Sequence, residues 1–121
     1  MTIEDKLAER GMALPDTPAP QANYVPFVIT GNLVYVSGQI SQNADGLITG
    51  KLGADASLET GVAAAETCAL SLLAQVKAAC DGDLARLTRV VKLTGFVDSP
   101  ADIAEQPKVI NGCSGLVVAL V

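Results

Sequence analysis

With 121 residues the chain has room for one domain, large enough to bury about two-thirds of the surface its unfolded form exposes. Half of the residues are hydrophobic but only 3% are aromatic, so the core is expected to rest on Ala, Val, Leu and Ile, without an aromatic cage for bases or sugars. A net charge of -5 with no basic run argues against a nucleic-acid partner held by its phosphates.

The three cysteines, Cys68, Cys80 and Cys113, have no CxxC spacing, and the chain contains no histidine, which leaves no protein zinc site. Free thiols in a reducing compartment fit this usage better than a disulfide scaffold. The N-terminal residues 1–7 are charged where a secretory leader needs a basic start and an apolar run. No apolar stretch reaches the ~20 residues of a membrane helix without polar interruption, so no membrane partner is expected and the cytoplasm is the default compartment.

Taken in chain order, Thr2 followed by Asp5 reads as a helix start and Gly11 as its C-terminal cap. Prolines at 15, 18, 20 and 26 then give an extended lead-in, so residues 1–20 read as a short helix and a Pro-rich approach to a single domain spanning 1–121. Residues 24–29 and 33–40 are apolar runs separated by Thr30-Gly31-Asn32, a hairpin pattern. Residues 42–55 carry loop chemistry with a short strand expected at 47–49.

Ser57 is placed to cap a long helix in which Leu58, Val62, Ala65, Ala69, Leu72, Leu73, Val76 and Cys80 form one apolar stripe. Glu59, Glu66, Gln75 and Lys77 are expected on the opposite face, and Asp81-Gly82-Asp83 ends the helix. A strand is expected at 88–97, apolar on both faces, and a further helix from Ser99-Pro100-Ala101-Asp102, disturbed early by Pro107. Hairpin, helix, strand and helix in this order predict an α+β fold with helices on one face of a sheet.

Histidine-based triads and dyads are excluded within one chain. Gly46-x-x-x-Gly50 lacks the GK[ST] ending of a phosphate loop. Asp98 and Asp102 flank a turn, where solvation or capping accounts for them. Cys113 has no sequence neighbour that would activate a thiol. Tyr24, Ser37, Gln39, Arg89 and Asn111 remain as groups able to orient a small polar ligand. Ser37-Gly38-Gln39 reads either as a strand-end turn or as a pocket edge, Tyr24 as a packed ring, Arg89 as a surface ion pair or a carboxylate clamp, and Asn111-Gly112 as a turn or a ligand contact.

The order Asn23-Tyr24-Val25-Pro26, Val36-Ser37-Gly38-Gln39-Ile40, a long Ala-rich helix, the segment 90–97 and Val109-Ile110-Asn111 resembles the RidA family, also called YjgF-like or L-PSP endoribonuclease-like. The longer stretch before Val109 resembles a subgroup of it. The resemblance implies a chorismate-mutase-like α+β fold and a homotrimer with ligand clefts between subunits. It implies hydrolysis of reactive enamines or imines, such as 2-aminoacrylate, to 2-oxo acids and ammonia, without metal or organic cofactor. A small carboxylate-bearing substrate is the implied partner. Tyr24, Ser37 and Asn111 match the family's cleft residues, and Gly38 would let backbone approach the ligand. The family's substrate-binding arginine and its glutamate lie on two later strands, and no position in this sequence matches either. The catalytic residues are therefore left unassigned, and the sheet is expected to lack its last two strands in this sequence. A non-catalytic carboxylate-binding trimer and an endoribonuclease are the alternative functions.

Overall fold

The computed structural model describes residues 1–17 and 23–121, so the middle of the Pro-rich approach lies outside the described residues. The chain divides into two compact units, each assembled from separate segments. One comprises Met1–Gln39, Leu70–Arg89 and Leu120–Val121; the other comprises Ile40–Ala69 and Val90–Ala119.

In the first unit, helix α1 (Ile3–Glu9) starts where the sequence indicates. The Thr2 hydroxyl accepts from Asp5 N–H at 3.0 Å, and Asp5 Oδ2 accepts from Thr2 N–H at 3.1 Å. This reciprocal pair satisfies two donors at the helix start. At the other end Gly11 N–H reaches Ala8 O and Met12 N–H reaches Leu7 O, a Schellman closure that uses the positive φ of Gly11. Ile3 and Leu7 are buried, and Lys6 Nζ donates to Leu120 O at 3.1 Å, which ties the helix to the C-terminal end.

Strands β1 (Phe27–Thr30) and β2 (Leu33–Val36) pair antiparallel from Phe27↔Val36 to Thr30↔Leu33. Gly31, at φ +58, opens the two-residue turn, as a type II′ hairpin requires. Alternation places Phe27, Ile29, Val34 and Val36 on one face, and Val28, Thr30, Leu33 and Tyr35 on the other, fully exposed face. The ladder is shorter than the expected 33–40 run, for reasons that lie at its polar end.

Helix α2 (Leu58–Ala79) spans both units. Ser57 caps it: its Oγ accepts from Thr60 N–H at 3.1 Å. In the first unit Leu73, Ala74, Ala79 and Cys80 are buried, with Leu84 from the short 3-10 helix Leu84–Arg86. Gln75 corrects the sequence reading, being only 1% exposed rather than on the outer face. Lys77 is half-buried and pairs with Glu4 at 3.0 Å. The helix ends in a second Schellman closure, Asp81 N–H to Ala78 O and Gly82 N–H to Lys77 O. The left-handed residue here is Asp81, at φ 55. By length and composition alone α2 could cross a membrane, a measure that core helices also pass.

In the second unit, β3 (Gln42–Asn43) and β4 (Gly46–Leu47) form a minimal hairpin, earlier than the expected strand at 47–49. Thr67 of α2 joins it to the helix, accepting from Gln42 N–H at 3.2 Å and donating to Ala64 O at 2.6 Å. The segment 88–97 forms no ladder, contrary to expectation. Val91 is 69% and Phe96 94% exposed, and among the described residues no strand pairs with it. β-branched composition favours extended backbone, but a strand needs a hydrogen-bonding neighbour.

Helix α3 (Gln106–Leu120) begins later than the sequence indicates. Residues 99–103 form a turn instead, with Ile103 N–H to Pro100 O at 3.2 Å. Pro107 sits in the first helical turn, where a missing N–H costs nothing, so it marks the start instead of disturbing it. Val109, Cys113, Leu116 and Val117 of α3 are buried in this unit with Leu52, Ala65 and Ala69.

Candidate functional site

The end of β2 is organised around a missing donor. Pro26 has no N–H, so the chain entering β1 offers the strand only acceptors there. Ser37 supplies both donors: its N–H bonds Pro26 O at 2.9 Å and its hydroxyl bonds Val25 O at 2.5 Å. Ser37 thereby clamps the two peptide groups that follow Tyr24. Gln39 then folds back, its Nε2 donating to Ser37 O at 3.0 Å.

Of the expected residues, Ser37 holds the Val25 and Pro26 carbonyls and Gln39 bonds Ser37, with Tyr24 and Gly38 as their chain neighbours in the same unit. Tyr24 is 43% exposed. Gly38 has no positive φ, and a Cβ built on it would meet nothing within 4 Å. Neither positive φ nor packing against the described residues requires glycine there. Among the described residues, the space at the Gly38 Cβ position is open. With its proton directed at Val25 O, the Ser37 oxygen keeps its lone pairs as acceptors.

Asn111 lies in the other unit, exposed on α3. Its Oδ1 accepts from Ser114 Oγ at 3.2 Å, one turn along the helix. Arg89 is exposed, and among the described residues no carboxylate pairs with it. Burial pushes the Cys113 thiol up, and the nearby Cys68 adds to the effect. Burial also raises the Cys68 thiol, against a hydrogen bond from the Thr67 side chain. Neither is a ready thiolate nucleophile. Among the described residues no three His, Cys, Asp or Glu side chains gather where they could hold a metal ion.

Sequence reasoning missed the role of Val25 and Pro26, whose carbonyls are the anchor of the strand end. The signal was present: a proline one residue before a strand, opposite a serine just past its partner, leaves acceptors that a hydroxyl can fill.

The family model described as "YjgF/chorismate_mutase-like, putative endoribonuclease" matches residues 4–121. The chain belongs to this family. Its fold is accordingly the YjgF/chorismate-mutase-like α+β fold, here with helices and small sheets. Protein TCP17 of Trypanosoma cruzi is 44% identical over 119 residues, covering 98% of this chain and 74% of that protein. A crystal structure of a protein of unknown function from Agrobacterium tumefaciens superposes with a TM-score of 0.89 at 48% identity, over 98% of this chain and 74% of that one. A second, described as a "putative endoribonuclease" from Shewanella oneidensis MR-1, gives 0.93 at 34% identity, over 99% of this chain and 80% of that one. The strand-end and helix motifs thus carried the right family.

Proposed function

We infer that the protein is an enamine/imine deaminase of the RidA type, converting reactive 2-aminoacrylate-like intermediates to 2-oxo acids and ammonia. The observation that carries this reading is the Ser37-Gly38-Gln39 strand end, where Ser37 holds the Val25 and Pro26 carbonyls that follow Tyr24 in the chain, in a member of this family. The imine is intrinsically labile, so orienting it and a water molecule is most of what the site must do. Proximity and fixed dipoles are the catalytic contributions expected from such groups. The Ser37 oxygen accepts from the substrate nitrogen or from water, the Tyr24 phenol supplies a donor, and Gly38 leaves room for backbone contact. Asn111 is a separate candidate with its own test.

The same reading makes the protein a cytoplasmic homotrimer. The exposed apolar face of Val28, Leu33 and Tyr35 supports association. The experiment is ammonia and 2-oxo acid release from freshly generated 2-aminoacrylate, using the gene product as the cell makes it. Acceleration over buffer is expected, with Ser37→Ala about tenfold slower for one lost hydrogen bond in the transition state. No acceleration at all would overturn the reading.

A second reading is a non-catalytic carboxylate-binding trimer. It is favoured by the commitment of the Ser37 proton to Val25 O, which leaves that hydroxyl a poor proton donor. Ligand binding by calorimetry without turnover would select it. The endoribonuclease in the family description is opposed by the net charge of -5 and the lack of histidine. RNA cleavage by a nuclease-free preparation would reverse that order.

A further inference from the structure

The Ser37–Gly38 peptide is held from one edge only. Gln39 Nε2 donates to Ser37 O at 3.0 Å, a partly buried bond from a side chain to the backbone two residues before it. A trans peptide is planar, so its carbonyl and its N–H point in opposite directions, and no cis bond occurs among the described residues. With the carbonyl engaged by Gln39, the Gly38 N–H is turned to the opposite edge. Among the described residues no acceptor takes it, and Gly38 is exposed. Ser37 itself is fixed, its N–H on Pro26 O at 2.9 Å and its hydroxyl on Val25 O. The peptide that follows is free to turn over, because a flip changes ψ of Ser37 and φ of Gly38, and glycine takes either sign of φ at little cost. Gly38 has no positive φ and uses none of that freedom. Gln39 is thus the group that selects between two orientations, and it selects the one whose N–H faces away from its own amide.

We propose that Gln39 is a positioning residue that holds the Ser37–Gly38 peptide so that the Gly38 N–H donates to a carboxylate oxygen of the substrate, an inference that rests on the enamine/imine reading for the substrate's identity. A 2-aminoacrylate-type substrate carries a carboxylate next to its reacting carbon. The Ser37 hydroxyl, its proton committed to Val25 O, supplies no donor to it, whereas the Gly38 N–H does. A hydrogen bond to a charged acceptor is stronger than a neutral one, and a donor fixed in advance loses little freedom when the ligand arrives. No described atom lies within 4 Å of the place a Gly38 Cβ would take, so the approach to this N–H is bare on that side. Glutamine suits the task because its Nε2 is a donor on a stem long enough to reach back two residues. A glutamate of the same shape would present acceptors to Ser37 O and favour the flipped peptide. The carboxylate is present in substrate and transition state alike, so this contact acts on KM and leaves kcat.

The test compares the native protein with Gln39→Met, which keeps the length of the side chain and removes the donor. The probes are pyruvate, the 2-oxo acid that 2-aminoacrylate hydrolysis releases, and its uncharged amide, pyruvamide. Pyruvate should move the Gly38 amide resonance of the native protein, a readout that needs no variant. Gln39→Met should lose that shift and bind pyruvate about tenfold more weakly, while pyruvamide affinity changes by less than about twofold. A merely structural role would weaken both probes alike. With 2-aminoacrylate, Gln39→Met should raise KM about tenfold at unchanged kcat. The proposal falls if pyruvate leaves the native Gly38 resonance unmoved, if Gln39→Met binds pyruvate as tightly as the native protein, or if both probes weaken equally. Native turnover with an unchanged KM in Gln39→Met would overturn the positioning role and leave the deaminase reading standing. Gln39-dependent pyruvate binding at Gly38 without turnover would overturn the deaminase reading and support the positioning role, since the same carboxylate is held.

Discussion

Replacing Gly112 by alanine tests the helix contact on which the second unit is built. The added Cβ would meet the Val62 carbonyl oxygen at 2.5 Å, whereas ordinary contact begins at 3.4 Å, so the helices must separate locally by about 0.9 Å. The obstacle is backbone within α2 and cannot swing aside like a side chain. Forcing an extra carbon into a packed seam costs about 1–3 kcal/mol. Against this, alanine is better than glycine inside a helix by about 1 kcal/mol, so Gly112→Ala should change stability by about zero to 2 kcal/mol in the unfavourable direction. Gly115→Ala isolates the steric part. It lies in the interior of the same helix with nothing within 4 Å of its added Cβ, so it carries the helix gain alone and should stabilise by about 1 kcal/mol. Urea unfolding of both variants at matched protein concentration should separate their free energies by about 1–3 kcal/mol, with unchanged slope. Equal midpoints would refute the close approach of α2 and α3.

Asp81→Gly should raise stability by about 1 kcal/mol, because glycine adopts the left-handed φ without a Cβ penalty. The lost Asp81–Arg86 pair, exposed on both sides, subtracts little; a lower thermal midpoint for the glycine variant would contradict the cap assignment. Acid should loosen α1 early. Asp5 is held below the ordinary carboxylate range by the Thr2 N–H and then the Thr2 hydroxyl, and Glu4 by a backbone N–H and then Lys77. Both folded pKa values are depressed, so their contribution is present above the unfolded values and is lost as pH falls through the folded ones. Amide exchange in α1 should accelerate over that window, and Asp5→Asn should flatten the profile; identical profiles would exclude the capping box as its source. Ser37→Ala should cost about 1 kcal/mol and speed amide exchange around Tyr24 and Val25, whereas unchanged exchange would mean that the hydroxyl does not hold that segment.

Where the sequence was readable, the structure-forming interaction is local. The Thr2–Asp5 box, the Gly11 closure, the Gly31 turn and the Ser57 cap each join residues within a few positions, so residue type and spacing contain the whole interaction. The long helix was readable for the same reason, its stripe buried at Ala65, Ala69, Leu73 and Cys80. Gln75 escaped because burial depends on what the rest of the unit places against that face. Pro107 was legible as a helix signal but not as which one, since proline both breaks a helix interior and opens a helix start.

The segment 90–97 shows the limit most sharply. Its residues favour extended backbone as strongly as those of β1 and β2, yet only the hairpin forms a ladder. The hairpin carries its partner two residues away across Gly31-Asn32, while 90–97 must recruit one from elsewhere, and closing a longer loop before any hydrogen bond forms is costlier. The candidate site divides along the same line. Ser37 is tied to Gln39 and to Val25 and Pro26 just before β1, so this grouping follows from one hairpin. Asn111 belongs to a helix in the other unit, and only the family resemblance assigns it the same task. Substitutions at Ser37 and Asn111 therefore ask different questions. Loss of turnover at Ser37 tests a geometry this hairpin displays, and loss at Asn111 tests whether the family's cleft is assembled in this protein.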